Sequence, residues 1–184
     1  WRAPASTLTY SCEGNGCEAV VSGVRFDRDM SEVTGCDSDV RTLVFPKQVR
    51  EVDGDAFRCA RRLRAVAMNE GLAVLWGCGD CVFAGDIARV RLPSTLRVLG
   101  CSVFCWCENL RELGLPEGLE RIGAYCFAES GLEGVRVPDS VVEIGDYAFD
   151  RCMDLASVTI GRDSRLQRIG VSAFHYTDVS EFVA

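Results

Sequence analysis

The sequence predicts a β-rich α/β solenoid, in which one short unit is stacked repeatedly along an axis. A motif that ends in phenylalanine recurs through most of the chain, as in LERIGAYCF (119–127) and VVEIGDYAF (141–149). A second motif, with apolar residues at its first, fourth and sixth positions, recurs between these copies, as in LEGVRVP (132–138). The closing phenylalanines are separated by 21 to 26 residues. A period of this length is typical of solenoids, whose units bury apolar surface only against their neighbours.

The first 37 residues contain neither motif and are predicted to cap the array. LTYSC (8–12) and EAVVSGV (18–24) are β-rich runs separated by a turn with Gly and Asn, which favours a β-hairpin. Such a hairpin would cover the open edge of the first repeat. The polar stretch 27–39 is predicted to be a loop. We therefore divide the chain into residues 1–37, an N-terminal hairpin cap and loop, and residues 38–184, an array of about six to seven repeats.

The second motif predicts one β-strand in each repeat. Its copies begin at Val40, Leu63, Ile87, Leu110, Leu132, Leu155 and Val179. Because side chains alternate along a strand, the fourth and sixth residues share one face and pack inward. Stacked strands then form a parallel sheet with an apolar inner face. The proline that follows several copies cannot donate to a ladder, so it marks where the strand ends.

The phenylalanine motif predicts the opposite wall of the solenoid. In residues 119–127 a short extended piece precedes Gly123, where the backbone can turn sharply, and Ala-Tyr-Cys-Phe is predicted to form a helical turn. The rings are predicted to form one stacked column: Phe57, Phe83, Phe104, Phe127, Phe149 and Phe174. Burial of each ring stabilises the fold by about 1.5–3 kcal/mol.

The pattern I-G-x-x-A-F, followed by x-x-C-x-x-L-x-x-V-x-I-P, resembles the BspA-like leucine-rich repeat family. The resemblance covers residues 40–184, is most specific in 110–160 and is weaker in 72–83, where the copy has three extra residues. It implies a right-handed leucine-rich-repeat solenoid with a strand-lined concave face. It also implies adhesion, surface display or protein–protein contact, an extracellular or cell-surface location, and no catalytic residues. The chain stops inside the strand motif VSEFVA (179–184), so we expect that more protein follows or that a partner covers this end.

Charge and motif content exclude several classes of function. The net charge of −7 argues against nucleic-acid binding, because phosphate recognition needs concentrated Lys and Arg. No apolar run approaches about 18 residues, so we expect no membrane insertion by this chain. The sequence has no Ser-centred nucleophile elbow, P-loop or H-E-x-x-H motif, and its single histidine, His175, is predicted at the surface of the last turn. We therefore expect neither an enzyme nor a cofactor.

The outward third and fifth residues of the strands form the predicted binding face. Three of them are arginines although the chain is acidic: Arg89, Arg91 and Arg136. Arginine presents a planar donor fork to carboxylates and is enriched at interfaces, which indicates a protein partner with an acidic strip. The alternative is that Glu112 pairs with the arginines of adjacent strands. The predicted partner-binding residues are Arg89, Arg91, Glu112, Arg136, Ser157 and Thr159.

The eleven cysteines allow several chemistries. Four of them recur about one repeat apart: Cys78, Cys81, Cys101 and Cys105. Four converging thiolates could bind zinc, but the two separated C-x-x-C pairs of a zinc ribbon are absent. The alternatives are a disulfide within this cluster and packed thiols, and we favour packed thiols because cysteine suits buried turns. Cys12 and Cys17 flank the hairpin turn, and a disulfide between them needs an oxidising compartment. The odd number of cysteines also fits a reducing compartment.

Three functions follow from these observations. The first is a non-catalytic module that binds a protein partner through the strand-lined face, as long stacked surfaces usually do. The second is a structural or scaffold subunit of a larger assembly or a longer chain. The third is a metal- or redox-responsive module built on the cysteine cluster. We favour the first.

Overall fold

The computed structural model describes residues 8–13, 16–21, 24–26, 32–36, 40–52, 56–57, 60–77, 81–83 and 86–183. These residues form sixteen β-strands and no α-helix. The strands are β1 (Leu8–Glu13), β2 (Gly16–Val21), β3 (Val24–Phe26), β4 (Glu32–Cys36), β5 (Thr42–Val44), β6 (Glu51–Val52), β7 (Ala65–Ala67), β8 (Val74–Leu75), β9 (Arg89–Arg91), β10 (Val98–Leu99), β11 (Arg121–Ile122), β12 (Gly134–Val137), β13 (Glu143–Ile144), β14 (Ser157–Ile160), β15 (Arg168–Ile169) and β16 (Glu181–Val183).

The N-terminal sheet begins with the predicted hairpin. β1 pairs antiparallel with β2, with Leu8 opposite Val21. β3 and β4 extend this sheet in antiparallel order, and β4 then pairs in parallel with β6 of the first repeat. β4 lies inside the stretch 27–39 that was predicted to be a loop. Pairing on both of its edges outweighs the weak strand propensity of the polar residues around Val33.

The array has two parallel strand walls. The first wall consists of two sheets, β5–β7–β9 and β12–β14–β16. The second wall is the sheet β8–β10–β11–β13–β15, whose strands are the short extended pieces that precede Gly123 and its equivalents. Within each sheet, neighbouring strands pair in register at the same position of successive repeats, so Val135 is opposite Val158 and Leu99 is opposite Ile122. The predicted parallel solenoid is therefore confirmed.

The first wall is interrupted where the fourth copy of the strand motif, Leu110–Pro116, forms no strand. Within the described residues, 112–115 make no backbone hydrogen bond to β9 or to β12. Gly114 weakens this copy because it has no side chain to pack, and a Cβ added there would meet nothing within 4 Å. The strand edges of β9 and β12 therefore face a segment that does not pair with them.

The phenylalanine rings form a column through the core, as predicted. Neighbouring ring centroids from Phe57 to Phe174 are 4.7 to 5.6 Å apart. Phe45 lies against the start of the column, with its centroid 6.1 Å from that of Phe57. The rings of Phe83, Phe104, Phe127 and Phe149 are at most 1% exposed. The column therefore links all the repeats in one hydrophobic core.

The predicted helical turns around these rings are not confirmed. Tyr125 and Glu129, on either side of Phe127, both have a left-handed φ of 55°. The N–H groups of these three residues donate to carbonyls of the next repeat at 2.8 to 3.0 Å. In an α-helix the same N–H groups would bond within their own segment. The left-handed residues recur two positions before and after the last four rings, Phe104, Phe127, Phe149 and Phe174: Ser102, Trp106, Tyr125, Glu129, Tyr147, Arg151, Ser172 and Tyr176.

Two cysteines explain why this residue type recurs three positions after the phenylalanine. The Sγ of Cys107 donates to the carbonyl oxygen of Phe83 at 3.0 Å, and the Sγ of Cys152 donates to that of Phe127 at 3.0 Å. Both side chains are fully buried thiols. Each thiol satisfies a buried carbonyl of the preceding repeat while filling a small apolar space.

Candidate functional site

The strand face, defined as the outward third and fifth residues of the first-wall strands, lies where the alternation predicted it. Arg89 and Arg91 are exposed on β9, on either side of half-buried Val90. Arg136 is exposed on β12 between buried Val135 and Val137. The pleat therefore directs the arginines away from the core.

The other predicted partner-binding residues also lie on the strand face. Glu112 is exposed in the segment that forms no strand, and Ser157 and Thr159 are half-buried on β14. Ala65 has the corresponding register on β7 but is only 4% exposed. Thr42 and Val44 of β5 are exposed, so the strand face is least accessible at β7.

The alternative pairing of Glu112 with adjacent arginines is wrong. Within the described residues Glu112 forms no ion pair, and Arg136 instead pairs with the Oε1 of Glu117 at 3.6 Å. Glu112 belongs to the unpaired segment, so no ladder places it opposite a neighbouring arginine. Arg89 and Arg91 form no ion pair with any described residue. Arg91 contributes slightly to the lowered pKa of Glu70, which comes mainly from hydrogen bonds with Ser94.

A cavity of about 340 Å³ lies at the interruption of the first wall. Its lining residues are Ala88, Arg89, Val90, Arg91, Arg111 and Glu112. The guanidinium of Arg111 donates to the carbonyl of Gly131 at 3.3 Å and pairs with Asp154. Among the described residues, Arg89 and Arg91 are therefore positive charges beside the cavity that have no ion-pair partner. Two adjacent guanidinium groups suit a carboxylate ligand, because each can donate two parallel hydrogen bonds.

The sequence did not identify Arg111 or the cavity. Both depend on the missing strand at 112–115, and Gly114 was its only signal in the sequence. The position of His175 was predicted correctly: it is exposed in the last turn, where its Nδ1 is 3.1 Å from Asp150 Oδ1.

The cysteine cluster is only partly described, because Cys78 lies outside the described residues. Cys101 is exposed, Cys105 is buried and Cys81 is half-buried. Burial raises the pKa of Cys107 above its usual range, so it is a protonated thiol at neutral pH. Within the described part of the chain, no group of three or more His, Cys, Asp or Glu residues could bind a metal ion. The four-thiolate zinc site stays an untested alternative to the packed thiols that the sequence favours.

The predicted disulfide of the hairpin also stays a prediction. Cys12 and Cys17 are direct partners in the β1–β2 register, as their positions beside the turn indicated. Their side chains lie outside the described part of the structure.

A stack of repeats with two parallel strand walls, a phenylalanine column and a polar strand face defines a leucine-rich-repeat solenoid. The family model of the BspA type leucine rich repeat region matches residues 78–184 in six copies. The chain belongs to this family.

Solved structures agree with this assignment. A leucine-rich repeat protein of T. pallidum, TpLRR, is 26% identical, with a TM-score of 0.64 over 92% of this chain and 82% of that one. The pneumococcal vaccine antigen PcpA is 24% identical, with a TM-score of 0.53 over 92% of this chain and 37% of that one. A leucine-rich repeat protein of Eubacterium ventriosum is 15% identical, with a TM-score of 0.63 over 86% of this chain and 49% of that one. The chain thus spans well under half of PcpA, and the last two likenesses show the fold alone.

No curated protein is significantly similar in sequence to this chain. Among the described residues, no helix has the length and apolar character needed to cross a membrane.

Proposed function

We propose that the chain is a non-catalytic protein-interaction module that binds an acidic segment of a partner through its strand face. The observation on which this rests is the pair Arg89 and Arg91, exposed beside the cavity with no ion pair to any described residue. An arginine side chain that bonds no neighbouring carboxylate is available to a ligand. Because both arginines lie on β9, we expect the ligand to bind at this part of the strand face.

The interruption of the first wall supports the same site. Residues 112–115 do not pair with β9, so one edge of β9 has unpaired backbone groups beside the two arginines. An extended acidic segment can bond such an edge through its backbone and the guanidinium groups through its side chains. The long stacked surface of the solenoid would then provide further contacts on β12 and β14.

The organisation of the chain belongs to this proposal. Residues 1–37 act as the cap that protects the first repeat, and residues 38–184 present the strand face. Adhesion or surface display is the setting that fits the family, and the partner is a protein in either case. PcpA is described as a vaccine antigen, and its likeness to this chain supports the fold alone.

The proposal is tested with a random-peptide phage library selected on the immobilised chain. We compare the wild type with Arg89→Glu/Arg91→Glu and with a matched control, Arg162→Glu/Arg165→Glu. The control makes the same charge change at two exposed arginines between β14 and β15. Selected peptides are then measured for affinity in low and high salt.

We expect carboxylate-rich peptides that bind the wild type and the control alike. Their affinity should fall at least about tenfold for the Arg89→Glu/Arg91→Glu variant, because each reversed charge repels the ligand. It should also fall with ionic strength. Peptides that bind all three proteins equally would overturn the assignment of the strand face around β9.

A further inference from the structure

Strand β9 presents its two arginines on one side and at a fixed spacing. Arg89 and Arg91 are exposed, and Val90 between them is half-buried and packs against the hydrophobic core. Because side chains alternate along a strand that rises about 3.3 Å per residue, the two arginines leave the backbone about 6.6 Å apart on the strand face. A ligand therefore meets two positive charges at a set distance and not a diffuse basic patch.

The backbone of β9 has one bonded edge and one edge that faces the cavity. β9 is the last strand of its sheet and pairs with β7, and the N–H of Arg89 donates to the carbonyl oxygen of Arg64 at 3.1 Å. Since backbone groups of successive strand residues point to opposite edges, the N–H and C=O of Val90 point away from β7. Val90 lines the cavity of about 340 Å³, and residues 112–115 make no backbone hydrogen bond to it. An extended chain can therefore bond Val90 while it runs beside the two arginines.

The other charged groups at the cavity leave room for two carboxylates. The guanidinium of Arg111 pairs with Asp154, and its Nε is 4.0 Å from Glu133 Oε1, so its charge is already balanced. Glu112 also lines the cavity and repels any further negative charge. Two carboxylates, one for each arginine of β9, therefore match the charges of this site.

Resting on the proposed binding function, we propose that the ligand is recognised through an extended triplet of the form acidic–apolar–acidic. Its first and third side chains lie on one face and bring one carboxylate to each of Arg89 and Arg91. Its middle side chain points to the other face, where Val90 packs against the core. The arrangement is the same for a parallel and an antiparallel ligand strand, because alternate side chains share a face in both.

The triplet is selective because an extended chain cannot offer other spacings to the same face. Two adjacent acidic residues point to opposite faces, and so do two acidic residues that are three positions apart. In either case only one carboxylate reaches an arginine. A carboxylate at the middle position would turn toward half-buried Val90 and lose water without gaining a partner. Net charge alone favours none of these arrangements, so the spacing can be tested separately from the proposed function.

The test uses three synthetic peptides that are sequence isomers, so their composition and net charge are equal. The first, Ser-Gly-Glu-Val-Glu-Gly-Ser, has alternate glutamates. The second, Ser-Gly-Val-Glu-Glu-Gly-Ser, has adjacent glutamates, and the third, Ser-Glu-Gly-Val-Glu-Gly-Ser, has glutamates three positions apart. All are acetylated and amidated, which removes the terminal charges. Each is titrated at low salt into the isotope-labelled full chain, and the NMR shifts of the β9 amides give the affinity.

We expect the peptide with alternate glutamates to bind at least about threefold more tightly than either isomer, because each isomer loses one of two charge pairs. Arg89→Gln and Arg91→Gln should each remove this preference, since one guanidinium cannot discriminate a spacing. Arg165→Gln, which replaces an exposed arginine between β14 and β15, is the matched control and should retain it. A fourth peptide, Ser-Gly-Glu-Asp-Glu-Gly-Ser, should bind more weakly than the alternate peptide despite its additional negative charge.

The outcomes separate the triplet from the proposed function. Equal binding of the three isomers, weakened for all of them by Arg89→Gln or Arg91→Gln, would overturn the triplet and leave an acidic ligand of the strand face in place. Tighter binding of the fourth peptide would do the same. Binding that neither substitution weakens would overturn both proposals. If no peptide shifts the β9 amides at millimolar concentration, the triplet is not the element that is recognised. The comparison of isomers on the wild type decides the triplet without any variant.

Discussion

The regular repeats between residues 119 and 152 and the irregular ones between 72 and 115 have the same core but different surfaces. In the regular stretch Leu119, Ile122 and Phe127 are at most 1% exposed. In the irregular stretch Leu72 and Phe83 are equally buried, at 0% and 1%. The buried apolar residues are therefore sufficient to continue the solenoid through the irregular repeat, although the other residues of that repeat depart from the motif.

The departures of the irregular stretch are on its outside. Leu75 pairs with Leu99, so Trp76 lies where the next repeat has Gly100. Trp76 is 60% exposed. The first wall is interrupted beside β9, and the arginines of β9 form no ion pair with described residues. Local departures from a consistent pattern are where functional chemistry is expected, and the proposed binding site is found there.

The largest effect tests whether the two stretches share one core. Phe127→Ala in the regular stretch and Phe83→Ala in the irregular one should each lower the free energy of unfolding by about 3–5 kcal/mol, because each removes a fully buried ring from the column. Urea denaturation measures both. Phe174→Ala is the control and should cost less, since Phe174 is only half-buried. A much smaller cost for Phe83→Ala would show that the irregular repeat does not share the core.

The next effect concerns the thiols that donate to the phenylalanine carbonyls. Cys107→Ala in the irregular stretch should cost about 1–3 kcal/mol, because the buried carbonyl of Phe83 loses the thiol that donates to it. Cys152→Ala in the regular stretch should cost less, because the carbonyl of Phe127 still accepts from the N–H of Ser130 at 3.0 Å. Cys152→Ser should cost less than Cys152→Ala in the same denaturation experiment, since serine can donate the same bond. Ser130 already occupies the equivalent position of its own repeat and is 3% exposed. A serine variant less stable than the alanine variant would contradict this role of the thiol.

The sequence was sufficient to predict the solenoid because its signal is repeated. Each copy of the phenylalanine motif gives the same inward residue, so the column from Phe57 to Phe174 could be placed without coordinates. The strand register followed for the same reason. The sequence also predicted that Arg89 and Arg91 point outward, since alternation along a strand needs only the position of the buried valine.

The features that could not be predicted depend on contacts between repeats. The left-handed backbone at Tyr125 and Glu129 is uncommon for residues other than glycine, and it is stabilised by hydrogen bonds to the next repeat. Local propensity therefore suggested a helical turn instead. The cavity beside β9 arises from a missing ladder at 112–115, although the motif LRELGLP reads as a complete strand.

A third effect concerns backbone protection in the first wall. Amides of residues 112–115 should exchange with deuterium at least about tenfold faster than those of 135–137, because the former lack backbone hydrogen bonds to adjacent strands whereas β12 pairs with β14. Hydrogen exchange read by mass spectrometry or NMR measures this ratio. Equal protection of the two segments would mean that the first wall is continuous in solution.

The smallest expected effect is on stability, when charged side chains of the second wall are replaced and compared with those of the strand face. The side chain of Glu143 accepts from Arg168 and, at 2.6 Å, from Arg121, so its pKa is lowered, first by the hydrogen bond from Arg168. A lowered pKa in the folded state adds stability that is present above the ordinary glutamate pKa of about 4.3 and is lost as the pH falls through the folded-state value. The side chains of both arginines are more than half exposed, so each pair contributes only about 0.2–1 kcal/mol.

Glu143→Gln should therefore lower the free energy of unfolding at pH 7 by less than about 1 kcal/mol. It should also flatten the decline in stability below pH about 4.3. Arg89→Gln and Arg91→Gln are the matched controls, and each should change the free energy of unfolding by less than about 0.5 kcal/mol with no change in the pH profile, because neither residue forms an ion pair with a described residue. Urea denaturation from pH 7 to pH 3 measures all three variants. A pH profile altered by Arg89→Gln or Arg91→Gln would show that the β9 arginines are paired in solution, and they would then be less available to a ligand than the structure indicates.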